Sequence, residues 1–191
     1  MSLPLTFHTA LSRPDLLAGP VAEALRALPW ADQVRVAEVD PSLSDTAQFC
    51  EAYGITLEES VNCVVIVAKR GADVTYAACM IAATTRANVN GLVRQHLGAR
   101  KASFGPVDVV TSLTGMEYGG ITPVGLPGSW PVLVDDQVAK TPSVVIGAGI
   151  RGAKLWLPGS LLAELPSGEI LPGLGVEADQ ADQADQADHV R

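Results

Sequence analysis

Six apolar residues in a row, Cys63-Val64-Val65-Ile66-Val67-Ala68, end abruptly at Lys69-Arg70-Gly71. The run is rich in β-branched residues and too short for a buried helix, so it reads as a central strand. The glycine permits a tight reversal, and Val74 to Met80 supplies the returning partner of a hairpin. Whatever this chain folds into has to cover that hairpin.

The flanking segments indicate what covers it. After Pro14, which suits a first helical turn, Leu17, Val21, Leu25 and Leu28 recur at helical spacing, so 14–28 is read as a helix. Val34 and Val36 alternate with polar neighbours, as in a half-buried strand. Ser44 or Asp45 is placed to cap a helix over Thr46 to Tyr53 that Gly54 stops, and Thr56-Leu57-Glu58-Glu59 has the chemistry of a further cap. Asn88 to Leu97, ended by Gly98, and Pro106 to Leu113, ended by Gly115, read as helices. Strands are expected over Val132–Val134, Val144–Ile146 and Lys154–Leu157, then a short helix over Pro158–Leu165. Residues 1–13 carry no strong pattern. Without the regular long crossovers of a doubly wound sheet, this order indicates a mixed α/β chain: a mixed sheet with helices packed around it.

With 191 residues, 48% of them apolar and 18% charged, the chain is long enough for one domain with a real core, read here as residues 1–168. After Pro166 the pattern is lost. Ala-Asp-Gln repeats three times between Ala178 and Gln186, and residues 169–191 are expected to form an acidic, disordered tail. No apolar run is long enough to span a membrane, and the N-terminus lacks a basic stretch followed by an apolar block, so a cytoplasmic location with no membrane partner is expected. Three cysteines, odd in number and nowhere spaced as C-x-x-C, argue against a disulfide framework and against a metal site.

The net charge of −8 bears on partners. Half of it sits in residues 176–191, where Glu177, Asp179, Asp182, Asp185 and Asp188 face one arginine. The remaining body is still acidic, so contact with nucleic acid would be weak, salt-sensitive and local. Arg86, Arg94, Arg100 and Lys101 form such a local cluster, and they read equally well as a solvated face. At 5% aromatic residues, no platform for stacking bases is evident.

One loop stands apart. Thr114-Gly-Met-Glu-Tyr-Gly-Gly-Ile-Thr-Pro-Val-Gly125 combines several unhindered backbone positions with one rigid one. Such a loop can aim backbone N–H groups at a ligand, or it can be a plain turn. Together with Val61-Asn62-Cys63-Val64-Val65-Ile66-Val67 upstream, and Pro131-Val132-Leu133-Val134-Asp135 and Gly147-Ala148-Gly149-Ile150-Arg151-Gly152 downstream, it resembles the YbaK/EbsC family. These are free-standing relatives of the prolyl-tRNA synthetase editing domain. The resemblance runs from about Ser44 to Leu165, and Gly119-Gly120-Ile121-Thr122-Pro123 matches the family's G-x-x-x-P signature.

The resemblance implies a mixed, barrel-like sheet surrounded by helices, and hydrolysis of the ester of a mischarged aminoacyl-tRNA. It assigns Gly119, Gly120, Thr122 and Pro123 to the loop that holds the aminoacyl group and stabilises the oxyanion. Asp135 falls at the family's acidic position, to place a water or an ammonium group; as an acid pair, Asp135-Asp136 also reads as a turn. Gly149 and Arg151 belong to a Gly-rich segment that a ligand can approach closely. The family's strand lysine does not carry across, because Cys63 stands at its position. Cysteine supplies no fixed positive charge, and Lys69 is too far along the strand to replace it. Cys63 then reads as a small core residue, as a pocket-lining residue that shapes the amino acid accepted, or as a nucleophile lacking an adjacent base. Asn62 is the alternative pocket residue if the register is shifted by one.

The resulting expectation is a trans-editing aminoacyl-tRNA deacylase that works without a metal or organic cofactor. Its partners would be the 3′ end of an aminoacyl-tRNA and, as a second candidate, a synthetase. The alternative is a module that binds an aminoacyl group, amino acid or nucleotide without hydrolysis, because Cys63 replaces the lysine.

Overall fold

The hairpin is the centre of the structure, a computed structural model that describes residues 2–43 and 46–177. Its strands in chain order are β1 (His8–Thr9), β2 (Arg35–Glu38), β3 (Val61–Arg70), β4 (Asp73–Ala82), β5 (Arg86–Ala87), β6 (Lys101–Phe104), β7 (Val132–Val134), β8 (Val144–Gly147), β9 (Ala153–Leu157), β10 (Gly168–Ile170) and β11 (Gly175–Val176). The α-helices are α1 (Gly19–Ala27), α2 (Thr46–Tyr53), α3 (Arg94–His96), α4 (Val107–Thr114) and α5 (Asp136–Lys140).

β3 and β4 pair antiparallel from Val61 opposite Ala82 to Arg70 opposite Asp73. Gly71, with φ +64°, takes the first place in the two-residue turn, where an L side chain would be strained. This hairpin lies inside a five-stranded sheet of order β10-β7-β4-β3-β6, with β7 parallel to β4 and β10 parallel to β7. A second sheet has the order β1-β2-β9-β8, and β11 pairs with β5 in a third.

The period of two along β4 divides the core. Ala78 and Met80 point into the larger cluster, shared with α1, β8 and β9, while Ala77, Cys79 and Ile81 point to the other face, against Val89, Val93 and Leu174. Both faces of β4 are therefore covered, which is why the segment carries no polar alternation.

The class is mixed α/β, as expected, but the sheets do not close into a barrel. On the side away from β4, Ser60, just before β3, bridges Val145 of β8, and β3 itself pairs with β6 from Ile66 to Lys69. Between these contacts, over residues 61–64, no described strand pairs with that edge of β3. The gap leaves a cleft in place of a closed wall.

The helix read over 14–28 is split. Pro14–Leu16 forms a single 3-10 turn, Leu17 and Ala18 are extended, and α1 begins at Gly19. Pro20 is responsible: it lacks the N–H that a helix interior needs and fits only a first turn. The proposed cap at Ser44 or Asp45 lies outside the described residues. Thr56 and Glu59 do form reciprocal capping bonds, of 3.1 and 3.2 Å, yet no helix follows because the chain enters β3 at Val61. A helical segment does follow Asn88, whose side chain accepts from the Gly91 and Leu92 amides, but Val89–Val93 is π-helical and only Arg94–His96 is α.

The tail does not begin at residue 169. β10 adds to the edge of β7, β11 pairs with β5, and Leu174 is fully buried. Edge strands are recruited through backbone hydrogen bonds and need little side-chain pattern, so β1, β5, β6, β10 and β11 left weak signals. The Ala-Asp-Gln repeats lie outside the described residues.

Candidate ligand cleft

A cleft of about 630 Å³ opens at the gap beside β3. Because no strand pairs with β3 there, five consecutive residues, Val61 to Val65, line it. Asn62 and Cys63 are thus both at the cleft, and the question of register between them disappears. The Asn62 Oδ1 accepts a long hydrogen bond from the Thr46 hydroxyl at 3.3 Å. The Cys63 thiol is pushed far up, first by burial and then by the neighbouring Cys79, so it stays protonated and uncharged at neutral pH. Cys79 itself is pushed up to about 12 by burial. Neither His8 nor His96 lines the cleft.

The facing wall is built on the Gly119 loop and Gly147. The loop at Gly119 is fastened to the Gly147–Gly152 segment by a set of short hydrogen bonds. The Gly149 N–H donates to the Gly120 carbonyl at 2.7 Å, and the Glu117 N–H donates to the Gly149 carbonyl at 2.9 Å. The Arg151 N–H donates to the Glu117 carboxylate at 2.8 Å. The approach is close enough to exclude side chains: a Cβ on Gly147 would lie 2.2 Å from the Gly120 carbonyl oxygen.

This geometry sorts the candidate residues. Gly119, with φ +87°, lines the cleft, and its amide and that of Ile121 have no acceptor among the described residues. The Gly120 N–H is engaged, donating to the Glu117 carbonyl at 3.0 Å. Thr122 and Pro123 are buried behind the loop and do not line the cleft, and the Thr122 hydroxyl has no partner among the described residues.

Gly149 is also away from the lining; it packs on Ala18, whose Cβ would stand 2.4 Å from a Cβ added to the glycine. Asp135 is buried elsewhere, where one carboxylate oxygen caps α5 at the Gln137 N–H and the other accepts from the Gly175 N–H at 2.8 Å. These are the contacts of a helix cap: Asp135 stands at the N-cap of α5. Arg151 is exposed and outside the lining, with its guanidinium 3.4 Å from the Pro41 carbonyl.

The sequence reading missed two features. Lys154 of β9 reaches the cleft, with its Nζ 3.5 Å from the Gly119 carbonyl oxygen and 5.4 Å from the centre of the Phe49 ring. Burial lowers its pKa from the ordinary lysine value, partly opposed by Cys50. The available signal was a single lysine in the apolar strand Ala-Lys-Leu-Trp-Leu, directly after the Gly-rich segment. The second is an aromatic mouth: Tyr118 is 63% exposed and Phe104 66%, and both line the cleft. Two aromatic faces are available where composition had indicated none.

Solved structures share this fold. A hypothetical protein of known crystal structure superposes with a TM-score of 0.71 at 22% identity, covering 82% of this chain and 99% of its own. A crystal structure provisionally described as a trans-editing enzyme for prolyl tRNA synthetase gives 0.69 at 21%, covering 81% and 94%. A scaffold protein used in the computational grafting of linear epitopes gives 0.69 at 21%, covering 81% and 95%. No curated protein matches the chain. Residues 40–165, the stretch that carries both walls of the cleft, match the aminoacyl-tRNA editing domain, and the chain belongs to that family.

Proposed function

We propose that this protein is a trans-editing deacylase that hydrolyses the ester of a mischarged aminoacyl-tRNA at the cleft beside β3. The observation that carries the reading is the Gly119 loop, which lines the cleft and whose Gly119 and Ile121 amides have no acceptor among the described residues. Preorganised backbone donors of this kind stabilise a developing oxyanion without reorganising. Water attacks the ester carbonyl carbon, and the π pair moves onto the carbonyl oxygen. Collapse re-forms the carbonyl and breaks the bond to the ribose oxygen. Solvent takes the proton lost by the water and returns one to the ribose, releasing free amino acid and tRNA.

Tyr118 and Phe104 at the mouth offer faces for the terminal bases of the 3′ end, a sequence-tolerant contact. Val61 to Val65 would shape the space for the amino acid. The tRNA's 3′ end is the partner, a synthetase its source, and the cytoplasm the place where such a substrate occurs.

Single-turnover release of amino acid from Ala-, Cys-, Ser- and Thr-charged tRNAs tests this. Release from at least one, above the no-protein rate, is expected; no release from any would overturn the reading. The protonated thiol of Cys63 favours a second reading, a binding module without hydrolysis. In that case the wild type is inactive, retains affinity for aminoacyl-tRNA, and gains activity only on Cys63→Lys. A thiol nucleophile has little support, since burial holds Cys63 protonated and no histidine stands among the described residues of the cleft lining.

A further inference from the structure

Among the described residues that line the cleft, Lys154 alone carries a charged side chain. It sits in β9 between β2 and β8, opposite Ala37 on one side and Gly147 on the other. Both neighbours are small, which leaves the lysine stem room to extend toward Gly119. Ala153, Leu155 and Leu157 point into the core, so the alternation of the strand turns Lys154 to the opposite face.

The ammonium at the end of that stem has little company. Its hydrogen bond to the Gly119 carbonyl is 3.5 Å long, well beyond the usual length for a charged donor. No carboxylate lies within ion-pair distance of it among the described residues. A half-buried cation whose partners among the described residues are one distant carbonyl and the face of the Phe49 ring keeps donors in hand for an anionic oxygen that arrives with a ligand. Its position beside Gly119 puts it next to the loop where the ester carbonyl would be held.

We infer that Lys154 Nζ donates to the carbonyl oxygen of the scissile ester and stabilises the oxyanion together with the Gly119 loop. The inference rests on the deacylase reading. It moves the positive charge of the site from β3, where Cys63 is neutral, to β9 on the facing wall. In the attack step the carbonyl π pair comes to rest on an oxygen that accepts from Nζ. No proton need leave the ammonium, since solvent serves the water and the ribose oxygen.

The test is single-turnover deacylation of the responsive tRNA at varied protein concentration, with wild type, Lys154→Met, Lys154→Gln and the pair Lys154→Met with Cys63→Lys. Two neutral replacements guard against one that fails to fold, with thermal melts as the check. The saturating rate of the neutral variants should fall about 100- to 1000-fold, the scale for losing one oxyanion donor, with the half-saturating concentration little changed. A lysine placed at 63 on the facing wall should recover about 10-fold or more of that loss.

A saturating rate within about threefold of wild type would overturn the inference and leave the deacylase reading intact. So would a change confined to the half-saturating concentration, which would mean that the ammonium holds a phosphate instead. An inactive wild type overturns the deacylase reading, and this inference falls with it.

Discussion

The β3 wall of the cleft and the wall facing it border one space by opposite means. β3 presents five consecutive residues along a stretch of edge that no described strand pairs with, whereas the facing wall is built on backbone held close by glycines, with one lysine beside it. Where side chains make the lining, a substitution changes the shape of the space. Where main chain makes it, a single added methyl group moves the wall itself. The two walls should therefore respond very differently to equally small changes.

The largest expected effect is on the backbone wall. Gly147→Ala puts a Cβ against the Gly120 carbonyl and should cost about 3 kcal/mol, with loss of deacylation. Cys63→Ala, on the side-chain wall, should cost no more than about 1 kcal/mol. Urea unfolding of both variants would break the comparison if the two costs came out equal.

Asp135→Ala comes next, at about 2 kcal/mol, because it removes the α5 cap and leaves the Gly175 N–H without its acceptor. Its rate per folded molecule should hold; a rate that drops while the melting curve stays put would return Asp135 to the chemistry.

Smaller still, Tyr118→Ala and Phe104→Ala should each weaken aminoacyl-tRNA binding by about 1 kcal/mol, measured by filter retention. Being exposed, they should leave stability within about 0.5 kcal/mol of wild type.

The smallest effect sharpens the contrast through pH. Burial depresses the pKa of Lys154 in the fold, so the charged form is disfavoured relative to the unfolded chain. The cost is fully present below the depressed value and is relieved as pH rises from it toward the ordinary lysine value of about 10.4. Lys154→Met should accordingly melt higher than wild type at neutral pH, with the advantage shrinking toward about pH 10. An advantage that grew with pH would mean that the ammonium is not desolvated.

Legibility in the sequence followed the same division between side chain and backbone. The β3–β4 hairpin, the α2 and α4 segments and the three late strands were readable because each repeats apolar residues at its own period. Cys63 and Asn62 came from the family resemblance of the β3 segment, and Gly119 from the G-x-x-x-P signature of the same resemblance, and all three line the cleft. Thr122, Pro123, Gly149, Asp135 and Arg151 were close to the right places in sequence but serve the scaffold around the cleft or its outer surface, a distinction that only packing makes. Lys154 was passed over because a lysine in a strand reads as a solvent-facing residue. Nothing local reveals that β9 turns it toward a gap in another sheet. The open edge of β3, which creates the cleft, is a relation among three strands and has no signature in any one of them.

The bond between Asp135 and Gly175 joins residues 40 positions apart, and β10 reaches back over a similar stretch to lie along β7. On a nascent chain, β7 can dock on β4 long before its other edge has a partner. Until the final described segment emerges, that edge carries unpaired peptide groups, which are prone to join another chain. The segment after Pro166 thus acts as a late seal, and a chain released early near residue 168 would leave the edge open and the α5 cap half-engaged. Its contribution is measured less in apolar area than in timing, since parallel pairing across long loops is among the slower steps a small fold performs.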